Sequence, residues 1–155
     1  MRLELKSQSP EHTQAIGCAI GDVLHKGDVV ALVGALGSGK TTLVQGLARG
    51  LGVREKRAVH SPTFALIHEY EGRIPIFHLD WYRLDAVRGV DEALSAECFT
   101  NRAVAVIEWA DRGKALLPKE YLLIEMQHES ASARKLSIDA PVPRYEKVMH
   151  ALAGL

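Results

Sequence analysis

The sequence predicts an α/β protein: a mixed sheet with a parallel core and antiparallel flanking strands, packed by helices. Three observations predict it. The apolar run Val29-Val30-Ala31-Leu32-Val33 passes directly into Gly34-Ala35-Leu36-Gly37-Ser38-Gly39-Lys40-Thr41-Thr42, a glycine loop that opens a helical stretch. A second buried-type run, residues 103–107, ends on Glu108 and Trp109. Two further stretches, 64–80 and 121–138, each read as a pair of antiparallel arms.

Each element has its own signal. Residues 2–6 alternate like a short strand. Ser9-Pro10 offers an N-cap with proline at the first helical position, and Ile16, Ala19, Ile20, Val23 and Leu24 follow at helical spacing. Gly27-Asp28 turns the chain into the strand 29–33. Leu43, Leu47 and Leu51 form an apolar stripe on the helix 41–51, which Gly50 or Gly52 ends. Val59-His60-Ser61-Pro62-Thr63 is a loop signal. Residues 64–70 and 74–80 are the arms of a hairpin linked by Glu71-Gly72-Arg73, and Pro75 predicts a free edge or a bulge near the start of the second arm. Residues 90–99 read as a helix, 121–126 and 135–138 as a second antiparallel pair, and 143–155 as a terminal helix. Without an internal repeat or a dividing linker, residues 1–155 read as a single P-loop nucleotide-binding domain. Its site is expected at the carboxyl edge of the sheet.

Composition narrows the partners. Lys+Arg 19 balances Asp+Glu 19, so the chain lacks the basic excess of a protein that grips nucleic acid by itself. Cys18 and Cys98 lie far apart with no C-x-x-C spacing, which predicts reduced thiols in a cytoplasmic protein. No apolar run is long enough to span a membrane, and the first residues are unlike a signal peptide.

The loop carries the chemistry. It matches G-x-x-x-x-G-K-[ST] in full, between a strand and a helix. Glycines allow successive N–H groups to point inward around phosphates, and the helix start adds its positive dipole end. The pattern therefore predicts a nucleoside triphosphate or diphosphate held by Leu36, Gly37, Ser38, Gly39, Lys40, Thr41 and Thr42, with Lys40 on the terminal phosphates and the Thr41 hydroxyl on Mg²⁺. Mg²⁺ needs oxygen ligands, and two strands end in carboxylates, Asp80 and Glu108; either one is placed to hold the ion or to orient the attacking water. Thr63 reads equally as a switch contact to the terminal phosphate or as a turn residue. Trp109 reads as a base-stacking or a packing indole. Arg83, Arg112 and Arg134 are arginine-finger candidates among 19 basic residues, and Arg134 is counted with the nucleotide contacts. The 7 histidines show no metal spacing, and His78 beside Asp80 reads as structural. The chain has no Asn-Lys-x-Asp for guanine, which favours ATP/ADP, and no ABC-type signature.

With these residues in hand, the chain resembles the TsaE (formerly YjeE) family of bacterial P-loop ATPases. The resemblance rests on Gly-x-Leu-Gly-x-Gly-Lys-Thr-Thr at 34–42, Ser-Pro-Thr-Phe at 61–64, His-x-Asp-x-Tyr-Arg-Leu at 78–84 and Glu-Trp at 108–109, in that order and at fitting spacing over nearly the full chain. It implies a role in forming the threonylcarbamoyladenosine modification beside the tRNA anticodon. There a TsaC-like enzyme makes threonylcarbamoyl-adenylate and a TsaD–TsaB complex transfers the group to tRNA. The TsaE member binds that complex, reaching tRNA only through its partners, and its ATP hydrolysis, weak alone, supports turnover. Carried onto this sequence, the resemblance makes Lys40 and the loop amides the phosphate ligands, and Thr41 with Glu108 the Mg²⁺ partners. Asp80 becomes a catalytic or nucleotide-sensing carboxylate, Thr63 a switch contact and Thr13 a residue near the nucleotide; Trp109 borders the nucleotide or the partner. Ala35 departs from the family, which usually carries an acidic residue there. Because that position is expected to contribute mainly a backbone amide, the departure bears on hydrolysis rate more than on phosphate binding.

Two other readings compete. A small-molecule kinase would use Asp80 as the base for an acceptor hydroxyl, but the sequence lacks the arginine-rich lid such kinases carry. A nucleotide-sensing adaptor would bind ATP and a partner without useful hydrolysis.

Overall fold

Among the described residues, seven strands form one sheet in the order β1-β7-β6-β2-β5-β4-β3. The computed structural model describes residues 1–54, 59, 67–83 and 96–155. Along the chain these are β1 (Arg2–Ser7), α1 (Pro10–Val23), β2 (Val29–Gly34), α2 (Lys40–Gly50), β3 (Ile67–Tyr70), β4 (Ile76–Asp80), β5 (Val104–Glu108), a 3-10 segment (Ala110–Leu116), β6 (Leu122–His128), β7 (Arg134–Asp139) and α3 (Glu146–Leu152). β2 runs parallel to β5 and β6, and β4 parallel to β5. β3, β7 and β1 join antiparallel at the flanks. The mixed sheet is thus the expected one, and among the described residues no helix is long and apolar enough to cross a membrane.

Side-chain alternation divides the sheet into two faces. On β2, Val30 and Leu32 point into a cluster with Ile16, Ile20, Leu43 and Leu47, so α1 and α2 cover that face. Val29 and Ala31 point the other way, to Leu79, Trp81, Ala105 and Ile107. Parity then decides where the polar residues fall. Ile76 and Val106 belong to the helix-side cluster, so His78, Asp80 and Glu108, each an even number of residues away, share the face that α2 covers.

Local chemistry sets the ends. Ser9 caps α1 through its Oγ, which accepts from His12 N at 3.1 Å; such a cap contributes about 1 kcal/mol over alanine. The α2 helix stops at Leu51, followed by Gly52 at φ 87°, a left-handed angle that favours glycine. At the opposite end of β2, Tyr145 Oη accepts from Val29 N at 2.9 Å, while Arg144 Nε and Lys147 Nζ reach the carboxylate of buried Asp28 at 2.9 and 3.0 Å. These bonds anchor α3 beneath β2.

Two expectations need adjustment. β4 is no free edge: it lies between β5 and β3, and Pro75 stands just before it. There the missing N–H costs no ladder bond, and the Pro75 carbonyl accepts from Val104 N at 2.9 Å. The terminal helix is shorter than the 143–155 expected, beginning only at Glu146. The close approach of α1 and α2 was not foreseen. A Cβ on Gly46 would lie 2.0 Å from Gln14 O, one on Gly17 2.3 Å from Leu43 O, and one on Gly50 2.2 Å from Cys18 O, so the helices touch backbone to backbone. Of the helix expected at 90–99, residues 96–98 are helical and the start lies outside the described residues.

Candidate functional site

The glycine loop leaves the carboxyl end of β2 and turns into α2 within five residues, 35–39. Ser38 N bonds to Ala35 O at 3.0 Å, and Gly37 and Gly39 adopt φ of 77° and 97°, which side-chain-bearing residues avoid. At Gly34 the need is for space: a Cβ there would lie 2.5 Å from Ser38 Oγ and 2.7 Å from Met126 O. Gly39 caps α2 without any side-chain bond, which leaves the first N–H groups of the helix available to a ligand. Leu36, at the loop's tip, is 82% exposed.

Lys40 is folded back on this loop. Its Nζ donates to Gly34 O at 2.6 Å and Ala35 O at 3.0 Å, lies 3.4 Å from Ser38 Oγ, and sits 4.1 Å from the centre of the Trp109 ring. Burial lowers its pKa from the usual 10.5, against the opposing pull of Glu108, Asp80 and Asp111. At Ala35 the residue itself is exposed, and what it contributes inward is its carbonyl. Trp109 reaches the ammonium from a left-handed backbone, φ 59°, which costs a non-glycine residue about 1–3 kcal/mol. Its ring packs 4.9 Å from Tyr82, and Arg112 lies over both, 5.0 Å from Tyr82 and 5.4 Å from Trp109.

Asp80 and Glu108 are register partners at the carboxyl ends of β4 and β5. Both are buried, Glu108 at 2% and Asp80 at 6% exposure. Thr41 Oγ1 donates to Glu108, 3.0 Å from Oε1 and 3.3 Å from Oε2. Asp80 Oδ1 accepts from Tyr82 N at 2.8 Å. His78 Nε2 lies 2.6 Å from Glu108 Oε2, and its Nδ1 lies 3.1 Å from Tyr70 Oη. In the sequence His78 reads as structural and carries no link to Glu108; the signal available is the two-residue alternation that sets His78 and Asp80 on one face.

On the far side of the loop Arg134 opens β7. Its Nη1 donates to Ser130 O and Ala133 O, both at 3.0 Å, and its Nη2 reaches Gly37 O at 3.4 Å. Its Nε is buried and makes no hydrogen bond among the described residues. Arg134 therefore touches the loop, as Arg112 touches the Trp109 ring. The Thr13 hydroxyl bonds to Ser7 Oγ at 2.6 Å, and because Ser7 spends its proton on Ser9 O, Thr13 is the donor. Thr42 is half-buried in the first turn of α2, and Arg83 is exposed just beyond β4. Thr63 and the Ser61-Pro62-Thr63-Phe64 motif lie outside the described residues.

The oxygen donors so gathered, Thr41 Oγ1 and the Glu108 and Asp80 carboxylates, suit a hard cation. Among the described residues no three His, Cys, Asp or Glu side chains converge to hold a metal unaided. With phosphate oxygens and waters to complete the shell, one or two such carboxylates could hold Mg²⁺.

Residues 7–136 match the family model described as Threonylcarbamoyl adenosine biosynthesis protein TsaE. The tRNA threonylcarbamoyladenosine biosynthesis protein TsaE of Treponema pallidum is 37% identical over 132 residues, covering 85% of this chain and 96% of its own. The protein of the same name from Bacillus subtilis is 37% identical over 153 residues, covering 98% of this chain and 94% of its own. The crystal structure of Bacillus subtilis YdiB superimposes with a TM-score of 0.82 at 34% identity, covering 99% of this chain and 95% of that one. From the family model, which spans most of its length, and from relatives that it covers almost end to end, the chain belongs to the TsaE family.

Proposed function

We propose that this chain is a Mg²⁺-dependent ATPase of the tRNA threonylcarbamoyladenosine system, weak alone and stimulated by a TsaD–TsaB complex through which it reaches tRNA. The observation that carries the reading is the convergence of an uncapped helix start, the Lys40 ammonium and the Thr41–Glu108 pair on one glycine loop. The balanced charge of the chain supports an indirect role toward tRNA, since partners would supply the basic surface.

In this reading Lys40 turns its donors from the Gly34 and Ala35 carbonyls to phosphate oxygens, and the amides of residues 37–41 donate to the same group. A bound Mg²⁺ would neutralise phosphate charge and help align the terminal phosphoryl group. Thr41 has one proton and two lone pairs, so its hydroxyl can keep its bond to Glu108 and still face the cation. Asp80 would orient a water and accept its proton as the water oxygen bonds to the terminal phosphorus and the phosphorus–oxygen bond to ADP breaks. Trp109 covers one side of the ammonium. A partner that completes the site at its open edge, where Leu36 protrudes, accounts for low activity alone.

The test is ATP hydrolysis by the purified chain, alone and with a TsaD–TsaB complex, with Lys40→Ala as the blank. Stimulation that disappears in the variant supports the reading. Absence of both stimulation and physical association contradicts it and returns the kinase and sensor readings.

A further inference from the structure

Glu108 is held from two sides by chemically different donors, and only Thr41 belongs to the glycine loop. The other is His78, which is 0% exposed and stands between Glu108 and Tyr70 beneath the site. The terminal torsion of a glutamate is soft, so one donor leaves the plane of the carboxylate loosely defined. Thr41 alone does not define it, because its single proton is shared between oxygens at 3.0 and 3.3 Å. His78 Nε2, 2.6 Å from Oε2, binds one oxygen and leaves Oε1 toward the loop.

The hydrogen-bond inventory also orders the chain behind it. An ionised carboxylate only accepts, so both Thr41 and His78 Nε2–H must donate to it. A neutral imidazole with its proton on Nε2 has its lone pair on Nδ1, and Tyr70 Oη, 3.1 Å from it and farther, at 3.4 Å, from His68 Nδ1, is placed to donate there. Along β4 and in register on β5, Ile76 and Val106 are fully buried core residues, so an apolar side chain at 78 would suit the packing. What the imidazole adds is its two directed hydrogen bonds.

The geometry points to His78, braced by Tyr70, as a positioning residue that fixes the Glu108 carboxylate for its cation. This rests on the reading of Glu108 as a Mg²⁺ partner in a nucleotide site. Outer partners of this kind typically change metal affinity about 10- to 100-fold when removed.

The test is calorimetric titration of the full chain with ADP over a series of Mg²⁺ concentrations, for wild type, His78→Leu, His78→Gln, Glu108→Ala and the His78→Leu/Glu108→Ala double variant. His78→Leu is expected to raise the Mg²⁺ concentration needed for half-maximal enhancement by about 10-fold or more, leaving ADP affinity without Mg²⁺ near that of wild type. His78→Gln, which keeps an N–H donor, is expected to recover much of the loss. In the Glu108→Ala background His78→Leu should add nothing, since a residue acting through another is non-additive with it. If His78→Leu does not fold, Tyr70→Phe, which removes only the phenol, should shift the Mg²⁺ requirement in the same direction. Wild-type Mg²⁺ dependence that Glu108→Ala abolishes but neither His78→Leu nor Tyr70→Phe alters overturns the positioning role alone. An additive double variant also overturns it. Absence of Mg²⁺ dependence in the wild type removes the underlying nucleotide reading, a distinct result.

Discussion

Thr41 and Glu108, 67 residues apart in sequence, are joined by a hydrogen bond of 3.0 Å between the first turn of α2 and the last residue of β5. The parallel pairing of β2 with β5 brings them together: Leu32 lies opposite Glu108, so the helix that follows β2 starts above the end of β5.

Thr41→Val keeps the shape of the side chain and removes its hydroxyl. Glu108 then loses a donor and the cation an oxygen ligand. The expected outcome is a weaker Mg²⁺-dependent ADP affinity, by about 10-fold or more, with Thr41→Ser close to wild type. Calorimetry with and without Mg²⁺ checks it.

The backbone contact between α1 and α2 makes Gly46 intolerant of a methyl group. With Gln14 O 2.0 Å from the new Cβ, Gly46→Ala must push the helices apart, although alanine is the better helix former. A loss of about 1–3 kcal/mol is expected by denaturant titration, and a stabilised variant would contradict the packing.

Tyr145→Phe removes the phenol that bonds to Val29 N and leaves that buried N–H without its partner. The expected cost is about 1–3 kcal/mol in unfolding free energy, with ADP affinity unaffected because the bond lies at the opposite end of β2 from the loop.

Cys98 gives a pH dependence. Burial, reinforced by the charges of Glu97 and Glu69, pushes its thiol from the ordinary 9.0 up to about 11. Folding therefore favours the neutral thiol; that contribution is present below pH 9.0 and is lost as pH rises toward about 11. Two pH units correspond to roughly 2–3 kcal/mol at most. Site-resolved alkylation of the native protein should leave Cys98 unlabelled at neutral pH and label it once the chain is unfolded. Ready native labelling would contradict its burial.

The sheet and the loop were legible because short-range patterns encode them: apolar runs for β2 and β5, glycines at 37 and 39 for left-handed backbone, and Ser9-Pro10 for the start of α1. Strand order and packing were less so. Pro75 suggested an edge because proline forbids a ladder bond, yet one residue of offset put it outside the strand. The glycines at 17, 46 and 50 carry no period that distinguishes helix contact from chance. Asp80 and Glu108 were visible as strand ends, whereas the bond from His78 to Glu108 depends on the β4–β5 register, which one chain alone does not display. The bond between Thr13 in α1 and Ser7 at the end of β1 likewise joins two elements that no local pattern links.

The most direct measurement is ADP affinity with and without Mg²⁺ for wild type and Glu108→Ala. Mg²⁺ is expected to strengthen binding in the wild type and to make little difference in the variant, with Mg²⁺-free affinity similar in both. Equal Mg²⁺ enhancement in the two proteins would contradict the assignment of Thr41 and Glu108 as the cation's partners.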